Sequence, residues 1–442
     1  MISFLTLFLG LVAGPHPLEV SVAGPVASIE VDVDGTRVSR IESPPWKTSV
    51  DFGRELAPHE VLARALDESG REIARARQWV NLPRQPAEIE VLLDRDVFGA
   101  ARSATLVLDS LLGPRPDSIA VTFDGRSLPP HEGLRVELPA YDPATTHLLS
   151  VTARFPNSLQ SRRDLVVGGG ASGEAKSALT AVPVRLRGPD VPTVAGLTGL
   201  FVKGGQSLVP VAVEHGTAQL LIVRDLSADE AMARLGRGGK TLFDAAQLGS
   251  APVFDPEASR QQMRLDDDDR VRFVWPKAAS VSAAKTPTEL FESSHDFLAK
   301  DGGLHWLLTR VYHPAKGDPR PRFADAVAVA GLQAFQSYSR RAVILVLGAK
   351  TTDVSHYDPA TVRGYLRRIN VPLYVWSLQD PGKRRSSGWN DVADISTAER
   401  MRSAFALLKN DLDTQWIVWF AGEYRPADIA LSAEASGIEI VR

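Results

Sequence analysis

Ile29, Val31 and Val33 alternate with Glu30 and Asp32 and run directly into Asp34-Gly35. A period of two puts apolar side chains on one face of a strand and charged ones on the other, and Asp-Gly is a strong signal for a tight hairpin turn. The pattern recurs about 90 positions later, the length of one sandwich domain. Ile119-Ala120-Val121-Thr122-Phe123-Asp124-Gly125 mirrors Ile29 to Gly35, Pro129-Pro130 mirrors Pro44-Pro45, and His147 to Ala153 mirrors His59 to Ala65. Short strands spaced by turns at this interval predict two consecutive β-sandwiches.

Both units resemble the immunoglobulin-like modules of large exported bacterial proteins, without the Cys pair of antibody-type domains. The chain has no Cys at all, which excludes disulfides, thiolate metal sites and thiol nucleophiles. Its 442 residues suggest two to four domains at roughly 100–200 residues each. With 44% hydrophobic and 23% charged residues, there is apolar material for several cores and no case for general disorder. A formal net charge of −3 gives no bulk attraction to nucleic acid or anionic lipid. The segment Met1 to Ala13 is apolar almost throughout. It is shorter than the roughly 20 residues that span a bilayer. It fits a signal-peptide core ending in Val12-Ala13-Gly14, although no Lys or Arg precedes it. The competing reading is a buried first strand. Export to the periplasm, envelope or exterior is therefore the expectation, with no membrane span in the mature chain.

The expected divisions are a signal-like segment over 1–14, an immunoglobulin-like sandwich over 18–84, a second sandwich with linker over 86–190, and an α/β domain over 195–442. From Ala218 onward the pattern alternates strands with helices. Gln219 to Val223, Val271 to Trp275, Ala342 to Leu347 and Pro372 to Leu378 read as strands. Ser227 to Leu235, Thr288 to Ala299, Ala324 to Phe335, Pro359 to Ile369 and Thr397 to Leu412 read as helices. Trp416 to Phe420 and Ile438 to Val441 close as strands. This spacing predicts a doubly wound, Rossmann-type, mainly parallel sheet.

Within that pattern, Leu220-Leu221-Ile222-Val223-Arg224-Asp225-Leu226-Ser227-Ala228-Asp229 is similar to the first strand and Asp-x-Ser-x-Ser motif of von Willebrand factor type A (VWA) domains. Ala324-Asp325-Ala326-Val327 resembles the central helix of that family, and Val343 to Ala349 its following strand. Val371 to Trp376 and the region Leu412 to Ala421 fit the rest. The resemblance implies a metal site built on hard oxygen ligands for Mg²⁺ or Ca²⁺. Asp225 and Ser227 stand where the first two ligands belong, and Asp229 replaces the second Ser. The family's Thr falls near Pro321 or Arg322, and its later Asp falls on Gly348. With those ligands missing, the resemblance implies a degenerate site without metal, although Asp353 and Ser355 lie close enough in sequence to compensate.

Other chemistry finds little support. The run Asp266 to Asp269 lacks the spacing of a Ca²⁺ loop and reads as a solvated turn. No paired His motif, nucleophile elbow or phosphate-binding fingerprint is present. The expected function is a non-enzymatic interaction or adhesion scaffold in the cell envelope, binding a protein partner through Asp225, Ser227, Asp229, Arg322, Asp353 and Ser355. No cofactor is expected. The alternatives are metal-dependent adhesion through a divergent site and an enzyme of unrecognised class.

Overall fold

The computed structural model describes residues 2–442 except 9, 23, 84–86, 97–99, 111–115, 117, 125, 132–133, 155–159, 169–178, 188–190, 229–231, 233–262, 279–290, 312–319, 349–351 and 380–387. The chain divides into two compact units. One holds residues 1–83, 181–419 and 425–442, and the other residues 84–180 and 420–424.

The first sandwich opens the larger unit. Its strands are β1 (Ile2–Phe4), β2 (Pro15–Val22), β3 (Ser28–Val33), β4 (Thr36–Ile41), β5 (Lys47–Asp51), β6 (His59–Leu66) and β7 (Glu72–Val80). A four-stranded sheet β4-β3-β6-β7 faces a three-stranded sheet β1-β2-β5 across a core that includes Leu18, Val31, Val50, Val61 and Ala63. All six residues of β3 are buried, including Glu30 and Asp32. Alternation alone predicts a half-buried strand. The carboxylates are covered because opposite charges sit across from them: Arg64 of β6 lies 2.8 Å from Asp32 and 3.2 Å from Glu30, and Arg37 of β4 also reaches Glu30.

Within the apolar opening segment, Ile2 to Phe4 form a strand of this sandwich with Ile2 buried. Ile2 pairs with Val22 and Phe4 with Val20, and Phe8 meets Phe52 edge-on at 5.0 Å. Asn81 then clamps the segment, accepting from Val12 N at 2.7 Å and donating to Val12 O at 2.8 Å and Ala57 O at 2.7 Å. An apolar run satisfies a leader and a core strand equally well, so composition does not separate the two.

The second unit repeats this plan. Its strands are β8 (Ala87–Arg95), β9 (Ala101–Ser110), β10 (Ser118–Phe123), β11 (Arg126–Leu128), β12 (Arg135–Glu137), β13 (Thr146–Arg154) and β14 (Gln160–Gly168). The sheets are β11-β10-β13-β14 and β12-β9-β8, strand for strand the order of the first sandwich. The registers also match. Ile29, Val31 and Val33 pair with Ala65, Ala63 and Val61, while Ile119, Val121 and Phe123 pair with Ala153, Val151 and Leu149. In this correspondence β1 is the counterpart of β8.

The rest of the larger unit is built on β15 (Leu179–Leu186), a single helical turn α1 (Val194–Leu197), β16 (Phe201–Lys203), β17 (Gln206–Leu208), β18 (Pro210–Glu214), β19 (Ala218–Arg224), β20 (Arg270–Ala278), β21 (Phe291–Ser293), β22 (Phe297–Leu298), α2 (Leu304–Arg310), α3 (Phe323–Gln336), β23 (Arg340–Leu347), α4 (Pro359–Arg368), β24 (Leu373–Ser377), β25 (Val392–Asp394), α5 (Ala398–Asp413), β26 (Gln415–Ala421), β27 (Ile429–Leu431) and β28 (Ile438–Ile440). The main sheet runs β21-β20-β19-β23-β24-β25, with β22 also on β20. Its central pairs are parallel and its β21 and β22 edge is antiparallel. Every residue of β19 and β23 is buried, as strands covered on both faces require. Leu220, Ile222, Phe273 and Ile344 face α2 and α5, while Leu221, Val223, Val274 and Leu345 face α3 and α4. Two arginines open β23. Arg340 donates to Leu412 O at 2.9 Å and pairs with the buried Asp269 at 3.3 Å. Part of the acidic run read as a solvated turn is thus the counter-charge of a buried strand.

One expectation is corrected here. The helix expected over 288–299 is instead β21 and β22 where it is described, because Phe291 and Phe297 turn inward against β20. β15 lies in a four-stranded sheet, β18-β26-β15-β28, with the C-terminal strands.

Candidate functional site

Asp225 and Ser227 follow β19, Gly348 follows β23, and Asp353 and Ser355 lie in the next stretch of loop. These are the carboxyl ends of parallel strands, where open α/β sheets form their ligand crevice. Asp225 is 4% exposed. Its Oδ1 accepts from Ser227 N at 2.9 Å, and its Oδ2 accepts from Ser227 Oγ at 2.6 Å and from Gly348 N at 3.1 Å. Burial pushes its pKa above the ordinary carboxylate value, against those three hydrogen bonds. A Cβ on Gly348 would stand 2.6 Å from Ala228 N and press on Ser227 Oγ. The 3₁₀ turn Leu226–Ala228 is therefore folded down onto Gly348 itself.

Asp353 and Ser355 repeat the local geometry. Asp353 Oδ1 accepts from Ser355 N at 3.0 Å and from Ser355 Oγ at 2.5 Å. Asp67 and Ser69, far away in the first sandwich, do the same at 2.9 and 2.6 Å. Asp-x-Ser is an Asx turn in all three places, a backbone device that needs no ion. Asp353 does more: it accepts from Phe323 N at 3.0 Å and Ala324 N at 3.2 Å, capping the start of α3 from another loop. Those first amides have no partner within the helix, and a carboxylate there also meets the positive end of the helix dipole. Ser355 Oγ accepts from Asp325 N at 3.2 Å. The buried Asp325 answers by accepting from His356 N at 2.9 Å and Tyr357 N at 3.1 Å. Arg322 Nε donates to Asp325 at 2.8 Å, and its guanidinium lies 5.4 Å over the Phe291 ring.

The residues singled out in the sequence thus fall into two groups. Asp225 and Ser227 form one turn with Gly348. Arg322, Asp353 and Ser355 form a second cluster around the start of α3. Asp229 lies outside the described residues. Among the described residues, no group of three or more His, Asp or Glu side chains could hold a metal ion. The donor set at Asp225 does not fit a hard divalent cation, which takes about six oxygens. Among the described residues, both carboxylate oxygens are committed to protein donors, and Gly348 brings a backbone amide rather than a ligand to Oδ2.

The loop after β23 presents side chains outward while its backbone is held. Val354 is 43% exposed and His356 is exposed, and Val354 N donates to Pro321 O at 3.0 Å. The sequence brings His356 into view with Asp353 and Ser227 at the strand ends, but not Val354; the signal for Val354 is an apolar residue between an Asp and a Ser that bond each other.

The described fold defines a class: tandem immunoglobulin- or fibronectin-III-like β-sandwich modules, together with a mainly parallel sheet that has helices on both faces. No protein family description matches the chain, and no curated protein is similar to it. Among solved structures, the fibronectin(III)-like modules of Clostridium thermocellum CbhA match at 13% identity over 38% of this chain and 93% of that one, with a TM-score of 0.16. The central fibronectin-III array of RIM-binding protein matches at 10% identity over 43% and 80%, with a TM-score of 0.24. A Bacteroides ovatus protein, SGBP-B of a mixed-linkage glucan utilization locus, solved with a mixed-linkage heptasaccharide, matches at 8% identity over 42% and 83%, with a TM-score of 0.13. Scores this low carry no weight for function. No described helix is long and apolar enough to cross a membrane.

Proposed function

We propose that this chain is a non-enzymatic protein-interaction scaffold of the cell envelope. In this reading its α/β domain is VWA-related and binds a protein partner, without metal, through the loops at the carboxyl ends of β19 and β23. One observation carries the reading. Asp225, Ser227, Asp353 and Ser355 bond one another and the backbone around them, including the start of α3, while Val354 and His356 stand exposed on a backbone fixed by Pro321 and Asp325. A pinned loop that offers apolar and aromatic surface suits a preorganised contact. Acid–base or nucleophilic catalysis needs titratable groups converging on open space, and here they converge on backbone amides.

The test is cross-linking of the full chain to its neighbours in its own cells, repeated with Val354→Asp and with chelator. A specific partner retained in chelator and lost in Val354→Asp supports the reading. A partner lost on chelation moves the function to a metal-dependent adhesion site. A partner equally captured by Val354→Asp removes the loop from the interface and overturns the proposal.

A further inference from the structure

A second feature lies away from those loops, along the start of β24. A cavity of about 340 Å³ opens there, with Arg363, Arg367 and Arg442 in its lining and Asp391 as the single acidic side chain among the lining residues. The volume is at the lower end of the range for small-molecule sites. The apolar lining that remains partly exposed is Leu373, Tyr374 and Ala393, while Val375 and Trp376 are buried.

The cavity exists because of how the sheet ends. β25 pairs only with Val375 to Ser377. Among the described residues, no strand pairs with Leu373 or Tyr374 on that side, so the start of β24 is left at an edge. Arg363 and Arg367 are one turn apart on α4 and share a face, an arrangement of like charges that a helix does not choose for its own stability. Arg363 is held in place by donating to Asn390 O at 2.6 Å. Burial lowers its pKa, Asp391 opposes that, and Arg367 adds to the lowering. Arg363 and Arg367 thus line the cavity together, where an anion would meet both.

We propose that this cavity is a binding site for a small organic oxyanion, a carboxylate or phosphate joined to an apolar group. Arg363 and Arg367 offer planar forks suited to two-oxygen anions. Leu373 and Tyr374, both partly exposed, supply a surface for the apolar part. The site is independent of the loops after β19 and β23, so it stands whether or not those loops bind a protein.

The experiment is calorimetric titration of the full chain with phenyl phosphate, benzoate, inorganic phosphate and, as a cation control, benzylamine. Phenyl phosphate or benzoate is expected to bind, with inorganic phosphate weaker by about tenfold for want of the apolar contact. Arg367 is exposed, so Arg367→Gln is expected to fold normally by circular dichroism and to bind at least about tenfold more weakly. Arg402→Gln, an exposed change on α5, is expected to bind as the parent does. Absence of heat with both aromatic anions overturns the site, as does equal affinity in Arg367→Gln. Equal binding of benzylamine shows that charge is not being read and overturns it too.

Discussion

His59 Nδ1 donates to Asp34 Oδ2 at 2.8 Å, tying the first residue of β6 to the turn that ends β3. The second module holds the same pair, His147 Nδ1 donating to Asp124 Oδ2 at 2.6 Å. Asp34 and Asp124 both have positive φ, 53° and 48°, a backbone conformation that Asp tolerates better than most residues. Each turn is thus locked from its side chain. In the first module Asp34 also accepts from Glu60 N at 2.9 Å and pairs with Arg425. Its pKa ends below the ordinary value, because those partners outweigh a burial effect that acts to raise it.

The second pair gives a pH prediction. The Asp124 hydrogen bond raises the pKa of His147 above its ordinary 6.5. A group whose folded pKa is raised adds stability that is fully present below the unfolded pKa and fades as pH rises through the folded value. Following the His147 ring signals by NMR should therefore give a titration midpoint above about 6.5, falling back toward it in Asp124→Asn. A midpoint at or below that value in the parent protein contradicts the pair's role.

His305 of α2 works in the opposite sense. It is 1% exposed, and burial pushes its pKa down to about 4. Between about 6.5 and about 4 the unfolded chain takes up a proton that the folded chain refuses, so stability falls as pH falls across that window and levels off below it. The loss is at most about 3 kcal/mol. Urea unfolding across this range should show it in the parent, and a flatter profile in His305→Leu. Parallel profiles would assign the acid sensitivity elsewhere.

Gly348 makes a steric prediction. The Cβ of Gly348→Ala would meet Ala228 N, a backbone atom with no room to yield. Overpacking of this kind costs about 1–3 kcal/mol. Gly348→Asp should be at least as unstable and should gain no Mg²⁺-dependent rise in melting temperature. A metal-dependent rise would show that the turn at Ser227 lifts easily and that the site is latent rather than closed.

Removal of residues 1–14 probes the opening segment. It would delete β1 and take away both Val12 bonds to Asn81 and the bond from Tyr357 Oη to Leu11 O, 2.9 Å long. Several part-buried bonds and a paired strand together put the loss at roughly 2–3 kcal/mol. Equal stability of the shortened chain by urea unfolding would show that these contacts add nothing and would favour the expected removable leader.

Tyr365 offers a smaller test of the same seam. Its buried hydroxyl donates to Asn81 O at 2.9 Å, and Leu56 of the first sandwich packs into the core beneath α4. Tyr365→Phe leaves the Asn81 carbonyl unpaired and should cost about 1–2 kcal/mol in unfolding free energy. No change would mean that the carbonyl finds another donor.

The sequence by itself determined the elements that depend on neighbours along the chain. Period-two alternation ending in Asp-Gly placed β3 and β10 and revealed their repeat, because strand pattern and turn chemistry are local. Continuous apolar runs placed β19 and β23, and Asp358 before Pro359 placed the start of α4, where Asp358 does accept from Thr361 N at 2.8 Å. Tertiary structure decided what long-range contacts settle. That Asn81 bonds Val12 and that Ile2 to Phe4 pair with β2 are contacts no local pattern reports. The residues from Phe291 to Leu298 became strands because β20 offered an edge. Asp353 caps a helix that begins 30 residues before it in the chain, and Asp269 neutralises an arginine more than 70 residues away. Asp225 and Ser227 carry a motif that suggests metal chemistry, yet their geometry is fixed by Gly348, on a strand that only folding brings alongside.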